Sequence, residues 1–435
     1  MKKHILIFSI FFLPLSLMAE IPLEKAVAQG IQRNMSVKNL VLEEKNSFLE
    51  KRKAEKNRLF GLELGGSYLY QSDRMEISFE DFSPFPGSTI PGQNITAGTF
   101  HNFDVKMSLV QPLFTGNILK NMVASQEIQT VIAQKQTYLQ KLEIAGQIKT
   151  SYFRYRLLMD QKGILEALLK KLEIHHQKLL DFYRENLIRK SDLLETEAQI
   201  QEQKINLEDL ENTIIAEKIH FENLCGLDVE EISDNYKETA RDFREALSLF
   251  ETRHPVLKTL DEQVKLIDIK KQIISGRYLP QVAGFAEVHF GKPGIDYFKN
   301  EWSPYFIGGI NVNFKLFDGK QKKIDLEILA HSQEKIKNQQ ADFLREGEKV
   351  LRQLFEKKKS TEKQLEILEQ LLTLAREDSL IKKDLVREKQ ISNLDYLASL
   401  TTEERYASMR NSLISRHELI KLNINTLTGI YEEES

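Results

Sequence analysis

Four runs of the chain alternate between apolar and polar residues with a period of two. In one of them Val105 and Met107 alternate with Lys106 and Ser108. A period of two over about ten residues predicts a β-strand with one apolar and one polar face. Such strands suit a membrane barrel with lipid outside and water inside, and they also suit a half-buried sheet of a soluble protein. The four predicted strands are 62–71, 102–113, 281–290 and 305–316.

Most of the remaining chain favours long helices. No proline occurs between Asn117 and His254, or after Tyr305. Apolar residues recur every seven positions, which predicts helices that pack along their length as coiled coils. We expect two helical hairpins, 117–226 and 319–429, that turn near residues 186–191 and 389–394. The heptad positions include Leu158, Leu165, Leu172, Leu179, Leu193, Ile200, Leu207, Ile214 and Phe221, then Tyr406, Leu413, Ile420 and Leu427.

The predicted lengths of the helices set a scale for the protein. A helix from Ile118 to Asn186 would be about 100 Å long at 1.5 Å per residue, which is enough to reach across a periplasm. Shorter helical segments, Leu23–Arg58 and Phe243–Ser275, precede the two strand pairs. The second of these contains His254-Pro255, a signal for the start of a helix.

The order of these elements occurs twice, because the sequence is a tandem repeat. Leu113-Phe114-Thr115-Gly116 and Leu316-Phe317-Asp318-Gly319 lie 203 positions apart, and this offset also relates Asp192 to Asp395. Upstream, an offset of 220 relates Leu59 to Leu279. The first copy is 17 residues longer between the two points. We therefore predict a first repeat at 20–226, with β-hairpin 62–113, and a second at 227–435, with β-hairpin 281–316.

Four strands per chain have a consequence for assembly if they span a membrane. About eight strands are needed to close even a narrow barrel, and open sheet edges are not tolerated in lipid. The functional unit would then be an oligomer that combines strands from several chains.

Composition narrows the class of protein further. Residues 1–19 have the pattern of a signal peptide, with Lys2 and Lys3 before an apolar run and Ala19 before the expected cut, which predicts export. The single cysteine, Cys225, excludes an internal disulfide and a cysteine-based metal cluster, and we expect it to be a small buried residue. A net charge of −3 gives no reason to expect nucleic acid as a partner.

Signatures of catalysis and of cofactor binding are absent from the sequence, so we expect neither an enzyme nor a cofactor. It has no glycine-rich phosphate loop, and His417-Glu418 lacks the second histidine of a zinc motif. His175-His176 is the one candidate metal pair. Adjacent helical residues point about 100° apart, and His175 falls on the heptad seam, so a packing role is favoured over a metal role.

Several segments resemble the TolC-like outer-membrane efflux proteins. The resemblance covers the chain after the signal peptide and depends on order, duplication and spacing. Gln111-Pro112-Leu113-Phe114-Thr115-Gly116 and Leu316-Phe317-Asp318-Gly319 resemble that family's strand-to-helix junctions. Residues 186–194 and 391–397 resemble its hairpin tips, and Leu224-Cys225-Gly226 and Leu427-Thr428-Gly429 resemble the ends of its return helices.

The resemblance implies a mainly α-helical protein with membrane β-strands. Three chains would form one barrel of twelve strands in the outer membrane and a tunnel of helices in the periplasm. The homotrimer would be the exit duct for an inner-membrane pump and its periplasmic adaptor, in efflux or in type I secretion, and the cargo stays open. An adaptor or scaffold with long hairpins is the alternative, although an adaptor normally has a single hairpin.

The resemblance also implies a gate at the tips, where acidic residues of three subunits form a ring. Asp395 is the candidate in the second hairpin and Asp192 its counterpart in the first. Asp395 could equally be an acid of the first helical turn, stabilised by the helix dipole. Glycine is common in the family where Asn186 and Lys389 stand, and a left-handed backbone suits Asn186 better than Lys389.

Overall fold

A computed structural model describes residues 21–233 and 242–429. The predicted signal peptide lies outside the described residues. Long helices dominate and alternate with a smaller number of strands. In chain order the elements are β1 (Ile21–Pro22), α1 (Leu23–Arg33), α2 (Met35–Lys56), β2 (Gly61–Tyr70), β3 (Met75–Ser78), β4 (Phe82–Phe85), β5 (Ser88–Ile90), β6 (Asn94–Ala97), β7 (His101–Phe114), α3 (Ile118–Arg184), α4 (Lys190–Cys225), a 3-10 turn (Val229–Glu231), β8 (Ile232–Ser233), α5 (Phe243–Arg253), α6 (Pro255–Gly276), β9 (Gln281–Lys292), β10 (Ser303–Asn313), α7 (Gln321–Arg387) and α8 (Asn393–Leu427).

The chain divides into two compact units, and each unit draws segments from both predicted repeats. One unit comprises the described residues of Met1–Val41, Lys135–Lys258 and Gln340–Ser435. The other comprises Leu42–Gln134 and Thr259–Gln339 and contains the four long strands. The division into repeats at residue 226 stays a prediction, although the order helix, helix, strand pair, helical hairpin occurs twice.

The four long strands form one antiparallel sheet in the order β10-β9-β7-β2. The two hairpins of this sheet have equivalent registers. Leu62 lies opposite Leu109, and Val282 lies opposite Val312, so the sequence offsets of 220 and 203 carry one pair onto the other. The structure therefore confirms that both strand pairs were aligned correctly from the sequence.

The largest difference between the predicted and observed strand ends is at the end of the last strand. The last strand was predicted to reach residue 316, but β10 ends at Asn313, whereas its counterpart β7 continues to Phe114. The end of β7 pairs with β9, including Pro112 with Ala283 and Phe114 with Val282. Residues 314–316 have no equivalent neighbour within the described strands, so hydrogen bonding does not extend the strand there.

The long connection between β2 and β7 is rich in proline and glycine. It contains two small antiparallel sheets, one of β3 and β6 and one of β4 and β5. These strands account for much of the extra length of the first repeat. Each of these strands has only three or four residues, which is too short for a periodic pattern to be recognised in the sequence.

Each shorter helical segment is broken in two. The break at His254-Pro255 was anticipated, but Leu23–Arg58 was predicted as one helix and is interrupted at Asn34. The Oδ1 atom of Asn34 accepts a hydrogen bond from the N–H of Val37 at 3.1 Å, which begins α2. Asparagine is a preferred residue at this position, so the signal was present in the sequence.

Two buried hydrophobic clusters stabilise the first unit, which contains α1, α4, α5 and α8. One surrounds Leu23, Ile148 and Phe221, and the other surrounds Phe250 and Leu351. Each of these five side chains is almost inaccessible to solvent. Cys225 belongs to the first cluster and is fully buried, as predicted.

Heptad residues in the hairpins are buried to differing degrees. Leu165, Leu172 and Leu179 of α3 are at most 8% exposed, and Ile200 and Phe221 of α4 at most 6%. These residues follow the predicted seam, which confirms packing along the length of the hairpin. Leu158, Leu193, Leu207, Ile214, Tyr406, Leu413 and Leu427 are half-buried.

Candidate functional site

The four-stranded sheet separates apolar from polar side chains onto opposite faces. Val105 lies opposite Phe290 and Leu64 lies opposite Met107, all on one face. Trp302 adds to this face at one end of the strands, with its ring 5.1 Å from that of Phe290. The large side chains of the apolar face are exposed, including Leu64 at 75%, Phe306 at 66% and Ile310 at 67%.

The opposite face holds a polar network that links the two repeats. Ser108 donates a hydrogen bond to Glu287 at 2.9 Å. The Nδ1 atom of His289 lies 2.9 Å from Asp104, and the His289 ring stacks on Tyr305 with 4.6 Å between centroids. His289 is only 7% exposed because of these neighbours. Four strands therefore present a structured polar surface on this side.

Both strand-to-helix junctions share an unusual backbone. Gly116 and Asn117 have φ values of 58° and 64°, and Gly319 and Lys320 have 66° and 72°. Two consecutive left-handed residues reverse the chain between strand and helix, and glycine is the residue that adopts this geometry without strain. The repeated glycine of the sequence motif thus has a defined structural role at both sites.

The remaining motif residues differ between the junctions. The ladder is irregular between Pro112 and Phe114, so Leu113 is the extra residue of a β-bulge. Leu113 and Phe114 are 58% and 46% exposed, whereas Leu316 and Phe317 are both 83% exposed. The second junction therefore presents far more apolar surface than the first.

An aspartate organises the second junction. The carboxylate of Asp318 accepts hydrogen bonds from the N–H of Lys322 at 2.7 Å and of Lys320 at 2.9 Å. A hydrogen bond from Tyr278 is the main cause that lowers the pKa of Asp318, and these backbone contacts lower it further. Asp318 therefore stays ionised and begins the next helix, whereas Thr115 stands at the same place in the first repeat.

The two hairpin tips have the same turn. Asn186 and Lys389 are both left-handed, with φ values of 58° and 61°. The N–H of Leu187 bonds to the carbonyl of Phe182 at 2.8 Å, and the corresponding bond of Gln390 measures 2.9 Å. Lysine thus adopts the geometry that the sequence analysis judged less favourable for it, and the closed hydrogen-bonded turn offsets the strain.

Asp395 lies at the first turn of α8 and is exposed. Ser392 donates its hydroxyl to the Asp395 carboxylate at 2.6 Å and accepts the Asp395 N–H at 3.2 Å. The Ser392 side chain is the main cause that lowers the pKa of Asp395. The spacing Ser-x-x-Asp is a capping-box signal that could have identified Ser392 from the sequence. Asp192 accepts the N–H of Arg189 at 3.2 Å in the first hairpin.

A buried polar cluster joins the two hairpins close to these turns. Asn393 donates to the carbonyl of Asp192 at 3.0 Å and to the hydroxyl of Thr196 at 3.1 Å. Its amide oxygen is therefore the acceptor for His175 Nε2 at 2.7 Å. The His175 ring also packs edge-on against Tyr396 at 4.6 Å. Sequence reasoning missed Asn393, because nothing in the local pattern marks a polar residue as buried.

This cluster assigns His175 to packing. The side chain is 8% exposed, and burial is the main cause that lowers its pKa. A neutral imidazole held by Asn393 agrees with the predicted place of His175 on the seam. Among the side chains that the structure describes, no group of three or more His, Cys, Asp or Glu residues is arranged to hold a metal ion.

A groove of about 980 Å³ lies at the tips of the two hairpins. Its charged lining is mostly basic, so the groove suits an acidic partner surface better than a basic one. The cationic residues are Lys171, Lys178, Arg189, Lys383, Arg387 and Lys389, and the carboxylates are Asp181, Asp192 and Asp384.

None of the helices within residues 21–233 and 242–429 is both long enough and apolar enough to cross a membrane.

Sequence comparison alone does not place the chain. No protein-family model matches it, and no curated protein matches it either.

Solved structures do match over almost the whole chain. One match is CusC, whose crystal structures concern folding and transmembrane channel formation. The two structures superpose with a TM-score of 0.75 at 11% sequence identity, over 93% of this chain and 91% of CusC. The outer membrane protein VceC of Vibrio cholerae has a TM-score of 0.73 at 15% identity, with 94% and 96% covered. The CmeC outer membrane channel of Campylobacter jejuni has a TM-score of 0.71 at 10% identity, with 94% and 85% covered.

The chain therefore has the TolC-like fold of outer-membrane channels, with two helical hairpins and a sheet of four long strands. This confirms the expected fold class of long helical hairpins with additional β-strands, and the trimeric barrel stays a prediction.

Proposed function

We propose that this protein is an outer-membrane channel formed by three identical chains. The observation that carries the proposal is the four-stranded sheet, with exposed apolar side chains on one face and a polar network on the other. Lipid suits the first face and a water-filled lumen suits the second. The similarity in fold to known outer-membrane channels supports the same conclusion.

The number of strands sets the assembly in this proposal. Among the strands of the described residues, β2 and β10 are each paired on one side only. Three chains would supply twelve strands and leave no open edge, which lipid requires. The helical hairpins 117–226 and 319–429 would then form a tunnel on the periplasmic side.

The hairpin tips are the proposed gate and docking site. Asp395 is ionised and exposed, so three copies around a narrow opening would repel one another and attract cations. Asn186 and Lys389 form the closed turns that present this region. The basic groove beside them would receive the acidic surface of a periplasmic adaptor, which links the channel to an inner-membrane pump for efflux or type I secretion.

Membrane fractionation and native mass analysis test this function together. A channel should sediment with outer membranes, require detergent for release, run as a trimer before heating and conduct ions in planar bilayers. Release by salt alone as a single chain would instead support the adaptor or scaffold alternative. A pump-dependent loss of export in a deletion strain would then distinguish an exit duct from an independent pore.

A further inference from the structure

The internal repeat predicts how one chain joins the next, because the sheet already contains one seam between repeats. Within the chain β7 of the first repeat pairs with β9 of the second. The equivalent of β7 is β10, and the equivalent of β9 is β2. The structure confirms both equivalences, since the two hairpins share one register under the offsets of 203 and 220.

We propose that β10 pairs with β2 of a partner subunit in the register that the β7–β9 seam defines. This proposal rests on the proposed trimeric channel and goes further by assigning residue pairs. Ser108 lies opposite Glu287 in the internal seam. The same offsets place Asn311 opposite Ser67 of the partner subunit.

The faces of the two strands agree with this register. Ser67 and Asn311 both lie on the polar face, since Ser67 pairs with Asp104 and Asn311 follows the alternation of β10. On the apolar face, Ile310 lies opposite Tyr68 of the partner subunit. A shift by one residue would place apolar side chains in the polar lumen and is therefore disfavoured.

Charge supplies an independent argument for the same register. Pro112 lies opposite Ala283 in the internal seam. The equivalent pair across the proposed seam is Lys315 and Glu63 of the partner subunit. Both side chains are exposed in the single chain and carry opposite charges, and continuing the alternation of β10 past Asn313 would put Lys315 on the polar face, where Glu63 lies. Opposite charges that face each other across two strands stabilise the pairing. This would explain why the second repeat has Lys315 where the first repeat has Pro112.

The second junction shows what the partner would cover. A Cβ atom on Gly116 would clash with the carbonyl oxygen of Gly276, at the end of α6, whereas no atom lies within 4 Å of the Cβ position of Gly319. The equivalent of Gly276 is Lys56, at the end of α2. Helix α2 of the partner subunit would therefore cover Gly319, together with Leu316 and Phe317, which are 83% exposed in the single chain.

Cysteine pairs test the register directly. Ser67→Cys with Asn311→Cys should form a disulfide between chains, seen as covalent dimers and trimers after denaturation without reductant. The matched internal pair, Ser108→Cys with Glu287→Cys, should form within one chain and reports that this geometry is competent. Ser67→Cys with Gly309→Cys is two residues out of register on the same face and should cross-link much less. Cys225 is fully buried and is not expected to compete.

The outcomes separate the two proposals. Trimers that cross-link more through Gly309→Cys than through Asn311→Cys would overturn the register and leave the channel intact. The absence of any oligomer would overturn both. Charge reversal gives a second measurement without cysteine: Glu63→Lys and Lys315→Glu should each lower the temperature of trimer dissociation, and the double variant should recover much of the loss. No recovery would contradict the ion pair.

Discussion

The two strand-to-helix junctions have the same backbone and different surroundings. Both contain two left-handed residues in succession, starting at Gly116 and at Gly319. The first packs against the end of α6 in the same chain, whereas nothing approaches the Cβ position of the second within 4 Å. Within one chain the two repeats meet along a single seam of the sheet, β7 with β9, so only the junction beside that seam is covered. In the proposed trimer, another chain would supply the neighbour that the second junction lacks.

Alanine at the two junction glycines gives the largest expected effect. Gly116→Ala adds a left-handed penalty and a clash with the Gly276 carbonyl, which together should cost about 2–5 kcal/mol. In the assembled protein Gly319→Ala should cost nearly as much, because α2 of the partner subunit would lie against it. Thermal dissociation and unfolding of the detergent-solubilised protein measure both. A mild effect of Gly319→Ala alone would mean that the second junction stays open in the assembly.

Arginine substitutions compare the two faces of the sheet in both repeats. On the apolar face, Val105→Arg and Val312→Arg should each destabilise the protein by about 2–4 kcal/mol near the middle of the membrane. On the polar face, Ser108→Arg and Asn311→Arg should be mild, because water solvates the charge. Folding yield into lipid vesicles and urea titration provide the measurement. Similar damage at all four positions would argue against lipid on one face and water on the other.

The two helix breaks differ in their response to acid. Asn34 begins α2 and His254 begins α6, where its Nδ1 atom accepts the N–H of Val256 at 3.2 Å. Burial lowers the pKa of His254 to about 4, from an ordinary value of about 6.5. The folded protein therefore binds this proton less readily than the unfolded chain. The contribution of neutral His254 to the free energy of unfolding should be fully present above about pH 6.5. It should be lost as the pH falls from about 6.5 to about 4.

His254→Asn places the first-repeat residue in the second repeat and removes this titration. As the pH falls over that range, the free energy of unfolding of the wild type should decrease by up to about 3 kcal/mol more than that of the variant. One pKa unit corresponds to about 1.4 kcal/mol. Denaturant unfolding at a series of pH values tests it. The exposed His331→Asn is the control and should leave the pH profile unchanged. Identical profiles for wild type and His254→Asn would rule out His254 as the group responsible.

Glycine at the hairpin tips should reveal a smaller difference. Lys389→Gly should stabilise the second tip by about 1 kcal/mol, because a left-handed residue with a side chain is strained. Asn186→Gly should stabilise the first tip by less, because asparagine tolerates a left-handed backbone better than lysine does. Hydrogen exchange at the two turns measures the difference. Equal gains would indicate that the hydrogen-bonded turn removes the strain at Lys389.

The smallest effect on stability and the most direct effect on function are expected at the tip acids. Asp395→Ala should weaken cation selectivity and block by divalent ions in single-channel recordings, with trimers intact. Asp192→Ala should have a smaller effect, since the second hairpin is the proposed site of the ring. Ser392→Ala is the matched control: it removes the main capping contact of Asp395 but keeps the carboxylate. Unchanged selectivity in Asp395→Ala would reduce its role to capping the helix.

The sequence alone determined the repeat, the strands and the long hairpins. These features depend on local periodicity, which can be recognised without knowledge of any tertiary contact. The period is two residues in the strand segment Val105–Ser108 and seven residues in the helical segment Leu165–Leu179. The paired turns at Asn186 and Lys389 were also located, within a few residues, from the end of each helical pattern. The tandem offsets went further than secondary structure, because they aligned the two β-hairpins residue by residue, and the structure gives both hairpins equivalent registers.

Only the tertiary structure decided what surrounds each copy. Burial of Asn393 with His175, coverage of Gly116 by α6 and the early end of β10 all depend on residues distant in the chain. Local pattern cannot report them, because the same motif occurs in both repeats and its neighbours differ. Side-chain burial and strand ends are properties of contacts, and a contact between distant segments has no signature in the spacing of either segment alone.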